Sequence, residues 1–224
     1  MKKNEVIVID DFIDIQYQTR IKNVLLGDNE SFNNENFDDI FSWIYVDDVT
    51  ATGDSDSKHR PGMAHQYVDL PYEEERDLSD GTINDGVLGH VISEYHELFI
   101  PLLKKVGFKL GLNDVKVLQG RSFLQFPINT DGTIDTPHID IHGNNNFIVA
   151  LYYVCDSDGD TVIYNERVES KKYTINKRVT PKQGRMVIFD GGLYHAAEQP
   201  INSNTRCIVN YNLGVWWETS FTQY

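Results

Sequence analysis

The chain has 224 residues and a formal net charge of −14, from 20 basic and 34 acidic side chains. Apolar residues make up 40% and charged residues 24%, which is enough to bury a sizeable core and excludes a disordered tail or a membrane-embedded chain. An acidic surface repels phosphate, which argues against nucleic acids and anionic membranes as partners; a small anionic ligand would need a dedicated cation.

The length suits one domain over 1–224, with helical support and a variable loop in 1–110 and a strand-rich core in 111–224. The opening MKKNEVIVIDDF has only a short apolar run that ends in acid, unlike a signal peptide, and the cytoplasm is the expected compartment. Val6 to Asp10 reads as a strand. Asp14 can cap a helix running to about Leu26, with Ile15, Tyr17, Ile21, Val24 and Leu25 on a broad apolar face and Gly27 as its stop.

Residues 47–86 carry the weakest pattern. They are rich in Asp, Ser and Gly and read as a loop, either a solvated connection or, over 47–82, a lid that meets substrate. A second helix is expected from about Val87 to Val106, with Leu88, Val91, Tyr95, Leu98 and Leu102 on one face and a kink at Pro101. His90 and His96 read as ordinary packed or exposed helix residues.

From Val115 the period changes. VKVLQGRSFLQF, NFIVALYYVC, TVIYNE, RMVIFDG and RCIVNYNLGVWW are short, rich in β-branched and aromatic residues, and separated by Asp, Gly and Asn turns. Phe147 to Val154 is apolar at both parities and should be covered on both faces. Helices first and strands afterwards indicate an α+β or mainly-β fold. Cys155 and Cys207 make neither a disulfide framework nor a zinc site and read as packed strand residues. Trp216 and Trp217 read as core or edge cover.

Three pieces carry chemistry. His138 and Asp140 in TPHIDIHG share one face of an extended segment, about 6.5–7 Å apart, so imidazole and carboxylate can converge on a metal. His195 follows the apolar strand Met186–Phe189. Two histidines and one carboxylate form a facial set that suits Fe(II) and leaves coordination positions open. Arg206 shares a face of the last strand with Ile208 and Asn210; a buried arginine there needs an anion and grips a carboxylate with two parallel bonds.

The order and spacing of His138-Ile139-Asp140, His195 and Arg206, with P-x-x-G-R-x-V-I-F-D at 181–190 and HAAEQPINSNTR after it, resemble the iron(II)- and 2-oxoglutarate-dependent dioxygenases, prolyl 4-hydroxylase-like branch. The resemblance covers roughly 115–215. It implies a double-stranded β-helix, or jelly roll, supported by N-terminal helices. It implies His138, Asp140 and His195 as iron ligands, and Arg206 and Tyr153 as residues binding the far carboxylate of 2-oxoglutarate. The implied cofactors are Fe(II), 2-oxoglutarate and O2, with ascorbate as a possible reductant. The implied activity is hydroxylation of a C–H bond in a peptidyl or free amino acid such as proline, coupled to decarboxylation of 2-oxoglutarate to succinate.

Two departures stand out. The family's glycine-rich turn reads Asp158-Gly159-Asp160-Thr161, without its first glycine, which bears on the shape of that loop and not on the metal site, and the tyrosine-proline pair before the histidine motif reads Phe126-Pro127, which weakens prolyl specificity. His142 is expected to leave the strand at the following Gly-Asn turn, and Arg121 either meets a substrate anion or is structural. The competing readings are a metal-binding jelly-roll module without turnover and an oxygenase of the same superfamily acting on a small metabolite.

Overall fold

The computed structural model describes residues 4–27, 41–49, 60–73, 82–83, 86–128, 134–143 and 146–215. Among them a large antiparallel sheet is ordered β1(Val6–Ile9), β9(Met186–Asp190), β6(Phe147–Tyr153), β11(Arg206–Gly214), β5(Lys116–Gln125), β3(Gly62–Asp69) and β2(Ile44–Val46), with β4(His90–Val91) also on β3. A smaller sheet holds β10(His195–Ala197), β7(Thr161–Tyr164) and β8(Ile175–Val179) in that order. Single bridges of Ile134 to Glu198 and His138 to His195 tie the intervening segment to β10. The two sheets make the jelly roll expected from the resemblance.

The strand β6 shows why both parities are apolar. Ile148, Ala150 and Tyr152 face a core shared with the helices, while Phe147, Val149, Leu151 and Tyr153 face a second core between the sheets. All seven residues are buried. The outer core is closed by α1(Ile15–Leu26) and α2(Ile100–Leu110), through Ile21 and Leu25 of the first and Leu102 and Val106 of the second. Each such side chain contributes about 1.5–3 kcal/mol on leaving water. The helix α1 begins and ends as its sequence dictates: the Asp14 side chain accepts from the Tyr17 N–H at 2.9 Å, and Gly27 ends it at φ 73°.

The single kinked helix expected over 87–106 does not form. Residues 90–91 pair with β3, Ser93 caps a 3-10 turn at Glu94–Phe99, and α2 starts only at Ile100. Pro101 therefore lies in the first turn of α2, where its missing N–H has no helical partner to lose, and causes no kink. Gly89 contributes to the break: a Cβ there would lie 2.2 Å from the Leu118 carbonyl oxygen, so the backbone is pressed against β5.

The reading of 47–86 as a loop is also corrected. β3 lies inside it and pairs with β2 on one side and β5 on the other. His65, Gln66 and the small Gly62 and Ala64 hide the strand from an apolar-period test, and the ladder bonds on both sides supply what the side chains do not. The rest of that stretch, 50–59, 74–81 and 84–85, lies outside the described residues. β8 escaped the sequence reading because Ile175-Asn-Lys-Arg-Val179 buries Val179 alone. Trp216 and Trp217 lie outside the described residues. Cys155 and Cys207 are buried free thiols.

Candidate metal centre and its cavity

His138 and His195 face each other across a reciprocal backbone pair. Each N–H donates to the other's carbonyl at 2.9 Å, which brings the ring centroids to 4.7 Å. Asp140, two residues on, lies with its Oδ1 3.8 Å from the Nε2 of both rings. The ligand atoms of the three residues lie within 4.8 Å of one another.

The tautomers follow from the second nitrogen of each ring. His138 Nδ1 is 3.2 Å from the Thr136 carbonyl and His195 Nδ1 is 3.1 Å from the Leu193 carbonyl. A carbonyl only accepts, so Nδ1 carries a proton in each ring, and Nε2 is the atom that faces Asp140 and is placed to bind a metal. Burial, helped by the neighbouring His195, pushes the His138 pKa down to about 4, so the ring is neutral at physiological pH. Burial alone would raise the Asp140 carboxyl, but the cationic surroundings outweigh it, and where the rings are neutral that role falls to the Arg121 guanidinium, which keeps the group ionised. Two imidazoles and one carboxylate on one side of a cavity are the donor set of a facial divalent-metal site, and the residues fit Fe(II).

The Asp140 carboxylate is itself held at both oxygens. Arg121 reaches Oδ1 at 3.2 Å and Asn210 donates to Oδ2 at 2.8 Å. Phe189 packs edge-on to the His195 ring at 5.1 Å.

The cavity measures about 360 Å3 and runs from this centre to Arg206. Its floor is the antiparallel pair β5–β11, in which Arg206 faces Gln125, Ile208 faces Phe123 and Asn210 faces Arg121. Alternate residues of each strand share the cavity face, so the floor is polar at both ends and apolar between.

Arg206 is 1% exposed. It donates to the Gly159 carbonyl at 2.9 Å, to Gln125 Oε1 at 2.6 Å and to Thr161 Oγ1 at 2.7 Å. Among the described residues these partners are all neutral, and burial lowers its pKa. Tyr153 lies behind Thr161. Its buried phenol donates to Thr161 Oγ1 at 2.7 Å and sits 3.2 Å from the Val179 carbonyl, so it meets Arg206 through Thr161.

The structure thus brings His138, Asp140, His195 and Arg206 to one cavity, with Arg121 at its outer end, and His142 is exposed on its rim. Sequence reasoning missed the polar residues between them. Gln125 could have been found from its parity with Arg121 on β5. Asp135 carried no signal: it is 1% exposed, lies 3.0 Å from Arg60 Nε, and accepts from Gln199 at 3.0 Å. His96 and His90 are packed: the first lies 2.9 Å from the Tyr211 hydroxyl, the second stacks on Tyr72 at 3.9 Å.

No family model matches the sequence, and no curated protein matches it. Its fold does match solved structures. An oxidoreductase of the 2OG-Fe(II) oxygenase family from Burkholderia pseudomallei superposes with a TM-score of 0.61 at 9% identity, over 93% of this chain and 84% of that one. The non-heme α-ketoglutarate-dependent carbocyclase SnoK of nogalamycin biosynthesis gives 0.57 at 10% identity, over 95% and 80%. A prolyl hydroxylase of Trichoplax adhaerens, solved with a hypoxia-inducible-factor peptide, gives 0.52 at 13% identity, over 94% and 84%. The chain therefore has the double-stranded β-helix fold of the 2-oxoglutarate- and iron-dependent oxygenases.

Proposed function

We propose that the chain is an Fe(II)- and 2-oxoglutarate-dependent dioxygenase that hydroxylates a C–H bond of a peptidyl or free amino acid, with proline as one candidate. One observation carries the reading: a two-histidine, one-carboxylate cluster and a buried arginine with only neutral partners occupy opposite ends of one cavity. A buried guanidinium hydrogen-bonded to no carboxylate is costly; Asp135, whose charge acts on Arg206, is already held by Arg60, and a dicarboxylate reaching from the metal centre offsets that cost.

His138, Asp140 and His195 would hold the iron. Arg206 would hold the far carboxylate of 2-oxoglutarate, with Gln125 and Thr161 fixing its plane and Tyr153 fixing Thr161. With iron and 2-oxoglutarate bound, dioxygen would be the oxidant, one oxygen atom going into succinate as carbon dioxide leaves and the other into the substrate hydroxyl. Asn210 and Arg121 keep Asp140 turned inward. Leu151, Phe123 and Ile208 keep water from the middle of the cavity. The fold is shared by a carbocyclase as well as a hydroxylase, so the outer end of the cavity, not the scaffold, sets the reaction outcome.

The test is an anaerobic titration of metal-free protein with Fe(II) and then 2-oxoglutarate, following the visible charge-transfer band of the chelate. A band that requires His138 and Asp140, with succinate formed on admitting oxygen, is the expected result. Iron binding without a band, or wild-type succinate production by Asp140→Ala, would sink the assignment in favour of a metal-binding jelly roll.

A further inference from the structure

Arg121 is the one cavity guanidinium that the dioxygenase reading leaves without a ligand. It sits at the outer end of the β5–β11 floor, on the same strand face as Gln125 but four residues away, about 13 Å along the strand. Its side chain is 24% exposed, against 1% for the whole Arg206 residue. One amino group reaches Asp140 Oδ1 at 3.2 Å, the guanidinium carbon lies 5.3 Å over the Phe123 ring, and Nε is buried without a hydrogen-bond partner. The ring and the carboxylate fix the plane of the guanidinium, and among the described residues its remaining N–H groups have no hydrogen-bond partner.

The charges of the site point the same way. Among the described residues the cavity lining carries two guanidinium groups, Arg121 and Arg206, and two carboxylates, Asp135 and Asp140, with Arg60 and Asp48 adding one charge of each sign beside Asp135. A divalent ion and a doubly charged cosubstrate cancel each other, so their binding leaves this balance unchanged. Arg60 lies on Asp135, and Arg206 takes the cosubstrate. Arg121 shares Asp140 with the metal site, so once that carboxylate serves a metal Arg121 is the cation left at the outer end, in a chain whose overall charge of −14 gives no general attraction for anions.

We propose that Arg121 is the substrate-specificity residue of this site, and that the substrate is a small molecule with a free carboxylate, namely a free amino acid. This rests on the dioxygenase reading and narrows it. Inside a polypeptide the reacting residue's own carboxyl is an uncharged amide, so a match to Arg121 then requires an acidic side chain or a C-terminus at one set distance; a free α-carboxylate meets it on the reacting molecule itself, accepting two parallel N–H bonds. The buried Nε–H, which has no hydrogen-bond partner in the free site, is matched better by a carboxylate oxygen than by a neutral amide, and the preference is graded because the rest of the guanidinium is partly exposed.

The experiment is a binding measurement without turnover. Protein loaded with Ni(II) is first titrated with 2-oxoglutarate, and then, at saturating 2-oxoglutarate, with each of the twenty standard free L-amino acids and its primary amide, followed by thermal shift and calorimetry. At least one acid is expected to bind, at least tenfold more tightly than its amide. Arg121→Gln should bring the acid-to-amide ratio close to one, while Arg121→Lys, which keeps charge but not the planar fork, should keep part of it. Failure of 2-oxoglutarate to bind would overturn the dioxygenase reading itself. With 2-oxoglutarate bound, the absence of any acid binding, equal binding of acid and amide, or an unchanged ratio in Arg121→Gln would overturn the proposal alone and leave Arg121 as a residue that positions Asp140.

Discussion

Asn210 donates to Asp140 Oδ2 at 2.8 Å from the opposite side to Arg121, so the carboxylate is gripped at both oxygens before any metal arrives. The strand β11 thus serves both ends of the cavity, with Arg206 at one end and Asn210 at the other. Partners of this kind typically change metal affinity by 10–100-fold when removed. Asn210→Ala should weaken Fe(II) binding by roughly tenfold or more and leave the fold intact, which metal titration alongside circular dichroism will check.

Arg206→Ala should raise the 2-oxoglutarate concentration needed for half-saturation by roughly 10–100-fold, the size expected for losing hydrogen bonds to a charged group. Tyr153→Phe should have a smaller effect, because its phenol meets Arg206 only through Thr161. Calorimetric titration of both variants separates the two roles; an equal loss in each would place the phenol on the ligand.

The same cavity shows what a sequence reveals and what it hides. His138, Asp140, His195 and Arg206 were legible because metal and carboxylate chemistry restricts residue type and because strand parity fixes which neighbours share a face. Gln125, Thr161 and Asn210 were not singled out, since neutral polar residues are compatible with many positions and only cross-strand register assigns them a partner. β3 was hidden for a related reason: its stability comes from ladders on both sides rather than from its own apolar pattern. The helix expected over 87–106 failed because three- and four-residue spacing of apolar side chains also arises by chance in a strand, a turn and a helix laid end to end.

Gly120 lies at the centre of the large sheet, where a Cβ would fall 2.3 Å from the Tyr211 ring. That ring is fully buried in the helix-side core. Gly120→Ala should destabilise the protein by about 1–3 kcal/mol through overpacking, lowering Tm by roughly 2–10 °C. Thermal and urea unfolding measure it; an unchanged Tm would mean that the Tyr211 ring can swing aside.

His96 adds a pH dependence on the helix side, remote from the metal centre. Burial lowers its pKa below the ordinary 6.5, and its Nδ1 lies 2.9 Å from the Tyr211 hydroxyl. Below about pH 6.5 the unfolded chain therefore binds more protons at this residue than the folded one. Its contribution to stability is complete above that value and is lost as the pH falls through it toward the lower folded-state pKa. Chemical denaturation of His96→Asn should show a flatter stability profile between about pH 5 and pH 7 than the wild type.

The two polar ends of the β5–β11 floor are separated by an apolar step of Phe123 and Ile208 and share no hydrogen bond. Substitutions more than about 7–10 Å apart without common partners usually combine additively. The protein can therefore be retargeted piecemeal. The side chain at position 142 can be exchanged to admit a different molecule while the anchorage around position 206 goes untouched, whereas a change at position 121 also releases one oxygen of Asp140 and needs a compensating hold on that carboxylate.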